Sequence, residues 1–283
     1  MINNSCTLTI ITINRNNASG LEKTLKSVLN QTYTDYEYII IDGASTDGSI
    51  EIIKRYANQF ERQLKWISEP DAGIYSAMNK GIRLATGEYL QFLNSGDCLA
   101  SVYVVERMYS YLDVNGFPSI LYGNMLKELT DGRVFRDRCF AGAPITLLGM
   151  YQGCLNHSPA YIKRQLFSKY GDYDEKLRIC SDWEWYMKAI VLGEETPCYV
   201  DFDVTLFDMS GISETNKDLL NNERRALLKQ MIPPGILNDY NRWYSSIKIM
   251  ERIEKYPVVN YIVRFIERVL FKFEKKRQFV KYE

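Results

Sequence analysis

"EYIIIDGASTDGS", Glu37 to Ser49, sets Tyr38, Ile39, Ile40 and Ile41 in a row, ends them on the carboxylate of Asp42 and turns at once through Gly43 and Gly48. A run this short and this β-branched, bounded by turn residues, reads as a strand buried on both faces. Ile50 to Phe60 behind it reads as a helix. The same unit recurs on both sides. Leu8 to Ile13 is a continuous apolar run, and Leu21, Leu25, Val28 and Leu29 then repeat with the helical period. Downstream, "LKWIS" predicts a short strand, Ile74 to Ala85 a helix with Ala77, Met78, Gly81, Ile82 and Ala85 inward, and "EYLQFL" (88–93) another buried strand.

Strands alternating with helices, each strand nearly all apolar, predict an α/β fold: a mainly parallel sheet with helices on both faces. In such sheets ligands bind beyond the carboxyl ends of the strands. The polar clusters "TINRNN", "DGASTDG", "EPDAG" and "NSGD" follow those ends, so they are expected to converge on one crevice. After about residue 115 the pattern loosens. "ILYGNMLKELTDGRVFR" reads as two strands around an Asp-Gly turn, and "AGAPITLLGMYQGCLNHS" as a loop-rich segment. A helix over 181–192 and a strand over 198–207 follow. From Asn238 the composition turns aromatic and basic, with a break at Pro257, which predicts a catalytic domain over 1–237 and a C-terminal helical appendage over 238–283.

Composition excludes several classes. With 283 residues, 46% of them hydrophobic, the chain has material for a large core, and 35 basic against 35 acidic residues give no global pull toward nucleic acid. Six cysteines without a C-x-x-C pair suggest neither a zinc knuckle nor a disulfide framework, and fit a cytoplasmic setting. The first residues lack a basic region ahead of their apolar run, so that run reads as a strand and not a signal peptide. No stretch approaches the ~18 apolar residues of a membrane span. The single histidine, His157, rules out multi-histidine metal sites, so catalysis must lean on carboxylates.

Within the opening stretch, Asp47 reads as a cap for the next helix. Asp42, at the end of a buried strand, reads as an acceptor for a base or sugar. A dinucleotide fold would carry G-x-G-x-x-G after the first strand, and "TINRNNASG" has one glycine.

"TINRN", "IIIDGASTDGS", "EPDAGIYSAMNKGIRLATGEYLQFLNSGD" and "SDWEWYMKA" stand in the order seen in family 2 glycosyltransferases, and about Thr7 to Ser213 resembles these inverting GT-A enzymes. The resemblance implies a nucleotide-sugar pocket lined by Thr12, Asn14, Arg15, Asp42 and Ser45, with Asp71 and Lys80 near the base and diphosphate. It also implies that Asn94, Ser95 and Asp97 occupy the segment that binds Mg²⁺ or Mn²⁺. That segment departs from the family's commoner pattern, which has an Asp at the positions of Asn94 and Gly96. One carboxylate can suffice where diphosphate oxygens and water complete an octahedron at ~2.1 Å. The rival reading makes Asp97 a cap for a helix beginning near Leu99. Gly96 is expected to answer a positive φ or the close approach of a sugar.

In "CSDWEWYMKAIVLG", Ser181 and Glu184 have the spacing of a capping box, and Asp182 suits the first turn. By resemblance Asp182 is the general base that deprotonates the acceptor, with Glu184 its rival. Trp183 offers a face for a sugar, Trp185 reads as core, and His157 is a candidate contact to diphosphate or acceptor.

These readings predict an inverting transferase moving a sugar from a nucleoside diphosphate, uridine-based donor to a glycan or lipid-linked acceptor in surface polysaccharide or glycoconjugate synthesis. Two alternatives remain: a non-catalytic sugar-nucleotide-binding protein, motivated by the missing acids of "NSGD", and a nucleotidyltransferase, against which no Gly-rich phosphate loop follows the first strand. The segment 258–279 reads as an amphipathic helix. It would lie on the inner face of a membrane as a peripheral anchor, or pack on the protein's own core or on a second subunit as a homodimer contact.

Overall fold

The computed structural model describes residues 8–60, 63–129 and 131–277. Thr7, at the start of the motif-bearing span, and Gln278 and Phe279, at the end of the terminal apolar segment, lie outside the described residues. The first half runs β1 (Leu8–Asn14), α1 (Ala18–Leu29), β2 (Glu37–Asp42), α2 (Ser49–Ala57), β3 (Leu64–Ser68), α3 (Ile74–Leu84) and β4 (Tyr89–Phe92). There follow β5 (Cys98–Leu99), α4 (Val104–Val114), β6 (Ile120–Glu128), β7 (Val134–Asp137), α5 (Leu147–Gln152), β8 (Ala160–Lys163) and α6 (Gln165–Tyr170). The last elements are α7 (Ser181–Tyr186), β9 (Cys198–Phe207), α8 (Ile212–Thr215), α9 (Lys217–Met231), α10 (Pro234–Glu254) and α11 (Pro257–Arg277).

One sheet has the order β3-β2-β1-β4-β8-β6-β9-β5, with β7 paired to β6. The strands β3, β2, β1 and β4 are parallel. β8 enters antiparallel between β4 and β6, and β6 and β9 are parallel again. The buried strands are the ones whose sequence runs unbroken: every residue of β1, β2 and β4 is buried. Leu8, Ile10, Tyr38 and Ile40 pack with Leu21, Leu25 and Val28 of α1 in one core cluster. Each such side chain removed from water contributes about 1.5–3 kcal/mol. On the other face α3 lies against β1 and β2. A Cβ on Gly81 would come within 2.5 Å of Ile11 Cγ2, so glycine sets that close packing.

Parallel register has a direct consequence for chemistry. Asn14 stands opposite Asp42, and Asp42 opposite Ser68, so three polar residues end three adjacent strands at one level. The Asp-Gly turn is present between β6 and β7, with Gly132 at φ +80°. Two local expectations are corrected. The helix over 181–192 is α-helical only to Tyr186 and continues as a π-helix over Met187–Leu192. No helix starts near Leu99; Asp97 precedes the short strand β5, and α4 begins at Val104.

The chain divides into two compact units between Arg224 and Arg225, within α9, whereas the composition shift lies at residue 238, within α10. The first unit holds the sheet. The second holds α10 and α11, which pack on each other.

Candidate active site

The strand ends line a crevice of about 830 Å³, within the usual range for small-molecule sites. Around its walls stand Asn14, Arg15, Asp71, Asn94, Ser95, Asp97, His157, Asp182 and Asp208, contributed by loops far apart in sequence.

Asp42 is fully buried and its oxygens are already engaged. It accepts from Asn14 Nδ2 at 2.8 Å, Ser45 N at 2.9 Å, Ser45 Oγ at 2.6 Å and Ser68 Oγ at 2.7 Å. Burial would raise its pKa, yet the bonds from Ser45, Ser68 and Asn14 hold it below the ordinary carboxylate value. Asp42 ties β1, β2 and β3 together, and Asn14, bonded to it, lines the crevice. Ser45 belongs to the same ring. Thr12 is likewise internal, its hydroxyl donating to Leu93 O at 2.7 Å and paired with Tyr38 Oη at 2.9 Å. Asp47 is not the N-cap that its position predicts: that residue is Gly48, and Asp47, one place ahead of it, accepts from Ser49 N at 3.1 Å and also from Ala18 N at 2.7 Å, so one carboxylate meets the first N–H of two helices. Lys80 sits between Asp71 at 2.5 Å and Glu69 at 2.8 Å and holds Asp71 at the crevice wall. Arg15 is exposed at the mouth.

The segment "NSGD" is built differently from its sequence reading. Asp97 is 3% exposed; its Oδ1 accepts from Asp208 N at 2.9 Å, and its Oδ2 is buried without a hydrogen-bond partner. Burial, reinforced by the charge of Asp208, pushes its pKa up to about 7. Gly96 has φ +108°, and a Cβ there would collide with Asp208 Oδ2. The required close approach is thus by a second carboxylate of this chain, arriving where the side chain of residue 96 would have been. The helix-cap reading of Asp97 falls with the absence of a helix at Leu99. Asn94 Nδ2 lies 3.4 Å from His157 Nε2, and Ser95 O accepts from Asn17 Nδ2 at 3.0 Å.

In the same crevice, Asp182 Oδ2 lies 3.0 Å from His157 Nδ1, and Asp182 Oδ1 accepts from Tyr75 Oη at 3.0 Å and from Trp183 N at 2.8 Å. Burial, the largest single influence on both groups, opposes their charges. The mutual hydrogen bond and charge outweigh it, so the pKa of Asp182 is lowered and that of His157 raised. The histidine's contribution to stability is present below its unfolded value of 6.5 and is lost as pH rises through the higher folded value. The aspartate's contribution is present above 3.8 and is lost as pH falls through the lower folded value. His157→Gln is therefore expected to lower Tm most between about pH 4 and 6.5, with the gap to wild type narrowing at higher pH. A gap that stays constant from pH 5 to 9 would show that the two groups do not form a charged pair.

The capping box is not formed. Ser181 Oγ has no hydrogen-bond partner, and the backbone N–H groups of Arg178, Ile179 and Cys180 donate instead to Glu223 of α9 at 2.8–3.0 Å. Glu184 pairs with Lys188 at 2.7 Å and is not among the residues that line the crevice. Trp183 does line the crevice but is 2% exposed. Its indole N–H donates to Met150 O, and the Arg224 guanidinium lies 5.0 Å over its ring, so the expected free stacking face is covered. Trp185 is fully buried, as expected.

Tyr75, Asp208, Glu223 and Arg224 are additions that the sequence reading missed. Only Asp208 carried a local signal, an acid at the end of a strand, the signal that marked Asp42.

The model of the family described as glycosyl transferase family 2 matches residues 9–171. A PGL/p-HBAD biosynthesis glycosyltransferase of Mycobacterium bovis is 27% identical over 204 residues, which cover 72% of this chain and 77% of that one. The crystal structure of residues 1–349 of TarS from S. aureus in complex with UDP is similar with a TM-score of 0.60 at 20% identity, covering 71% of this chain and 60% of that one. A mannosyltransferase from Pyrobaculum calidifontis, in complex with GDP-Man and Mn²⁺, is similar with a TM-score of 0.56 at 19% identity, covering 71% and 56%. At such identities the two structures speak for the fold, which is GT-A. Asp182 and Asp208 lie beyond the residues that the family model matches.

Proposed function

The chain belongs to glycosyl transferase family 2, and from that membership we propose that its crevice transfers a sugar from a nucleoside diphosphate, uridine-based, to a hydroxyl of a glycan or lipid-linked acceptor with inversion at the anomeric carbon. The observation that carries this reading is that one crevice is lined by both the Asp182–His157 pair and the Asp97–Asp208 pair, with Asn94 Nδ2 3.4 Å from His157 Nε2 between them. A proton acceptor and a seat for diphosphate charge within one crevice are what a single in-line displacement needs.

In the proposed step, the acceptor hydroxyl attacks the anomeric carbon as its proton passes to Asp182. The bond to the diphosphate oxygen breaks in the same event. Tyr75 and His157 fix the carboxylate of Asp182 so that it meets the hydroxyl without reorganising. Asn14, Arg15 and Asp71 line the end of the crevice where the nucleoside is read, with Lys80 holding Asp71. Among the described residues no group of three or more His, Cys, Asp or Glu could close around a metal ion. Asp97 and Asp208 nevertheless fit a hard divalent cation, because a buried carboxylate oxygen without a partner is costly until a cation or proton satisfies it. They would hold Mg²⁺ or Mn²⁺ with the remaining positions left to diphosphate and water, and the ion would neutralise charge on the departing diphosphate.

A panel of UDP-, GDP- and dTDP-sugars tests the reading. UDP-sugars are expected to bind and to be slowly hydrolysed with Mn²⁺ present. Absence of binding by every donor would overturn it, and preference for GDP-sugars would overturn the choice of base.

A further inference from the structure

The chain is neutral overall, but its charge is divided. Residues 225–283 carry 13 Lys and Arg against 6 Asp and Glu, a net of +7, and residues 1–224 carry 22 against 29, a net of −7. Charge segregated this way points to an acidic surface as partner of the basic part.

The basic unit also exposes apolar surface. On α11, Ile262 is 50% exposed, Phe265 58%, Ile266 51% and Leu270 57%. At 100° per residue these four, with Val258 and Val269, fall on one side of the helix, while Arg264, Arg268 and Lys272 fall on the other with Asn260 and Glu267. The apolar side spans about half the circumference. Phe271 and Tyr261, 62% and 72% exposed, stand among the basic residues. α10 repeats the design more weakly, with Trp243 at 50% and Met250 at 44%. Among the described residues no helix is long and apolar enough to cross a membrane.

We propose that α10 and α11 form an interfacial anchor that lies on an anionic lipid bilayer, the apolar side of α11 among the acyl chains and Arg264, Arg268 and Lys272 at the headgroups. An apolar side with cations opposite is what such a surface selects. Charge decides between occupants. A second copy docked through the same unit would set +7 against +7, whereas an anionic leaflet attracts every added cation, about fivefold in affinity per basic residue.

Co-sedimentation of the full chain with phosphatidylcholine vesicles, with and without phosphatidylglycerol, tests this. The chain is expected to pellet with the anionic vesicles at 0.05 M salt, to bind neutral ones at least about tenfold less, and to lose most anionic binding near 1 M salt, where the screening length is about 3 Å. Phe265→Asp with Ile266→Asp should cut anionic binding about tenfold or more. Arg264→Glu with Arg268→Glu should do so independently, and both variants should hydrolyse donor in solution as wild type does. Equal binding to neutral and anionic vesicles, binding unchanged in both variants, or a wild-type dimer that ignores vesicles and that Phe265→Asp dissociates would each overturn the proposal.

Discussion

Asp182→Asn is expected to slow sugar transfer about a thousandfold, within the 10²–10⁴ range of a positioned acid or base, while donor affinity changes by less than about threefold. The amide has nearly the shape of the carboxylate and can still accept from Tyr75, so the crevice wall should keep its form. What it loses is the ability to take a proton from the acceptor. His157 also loses the anion that raises its pKa, so the acid limb of the rate profile should change as well as its height. Rate constants measured beside calorimetric donor affinities separate the two effects. A variant that turns over near the wild-type rate would place the base elsewhere.

The second large effect is expected at Asp97 and Asp208. Asp97→Asn and Asp208→Asn should each weaken Mn²⁺ binding in the presence of UDP by about a hundredfold or more, since outer-shell partners alone are worth 10–100-fold. Electron paramagnetic resonance of free Mn²⁺ reads this without any turnover. Gly96→Asp, which restores the family's commoner residue, should also weaken binding, because the new side chain meets both a positive φ and the carboxylate of Asp208. Tighter Mn²⁺ binding by Gly96→Asp would contradict the idea that Asp208 has taken that place. Activity that persists in EDTA would remove the metal from the account.

The elements whose sequence announces them are those whose forces are local. β1, β2 and β4 are apolar without interruption, and only burial on both faces satisfies such runs. The convergence of "TINRNN", "EPDAG" and "NSGD" followed from parallel register, which puts strand ends at one level. Where the reading failed, the deciding partner was distant. Ser181 and Glu184 have the spacing of a capping box, but Glu223, from α9, takes the N–H groups ahead of α7. Trp183 has the chemistry of a stacking platform, and only the fold brings Arg224 over its ring. Asp42 and Asp182 are both acids near the start of a loop or helix. Spacing cannot tell that three side chains and one backbone N–H saturate the first while the second faces the crevice. Asp208 was overlooked because its partner Gly96 shows in sequence as an absence of acid rather than as room for one.

The anomer first released during hydrolysis of an α-linked UDP-sugar, with Mn²⁺ present and water as acceptor, tests the single-displacement account most directly. Proton NMR distinguishes the two anomers before mutarotation mixes them. One in-line attack assisted by Asp182 predicts that the β-anomer appears first and that Asp182→Asn suppresses it. First release of the α-anomer would contradict the account, since retention requires either two displacements or attack from the face of the departing diphosphate.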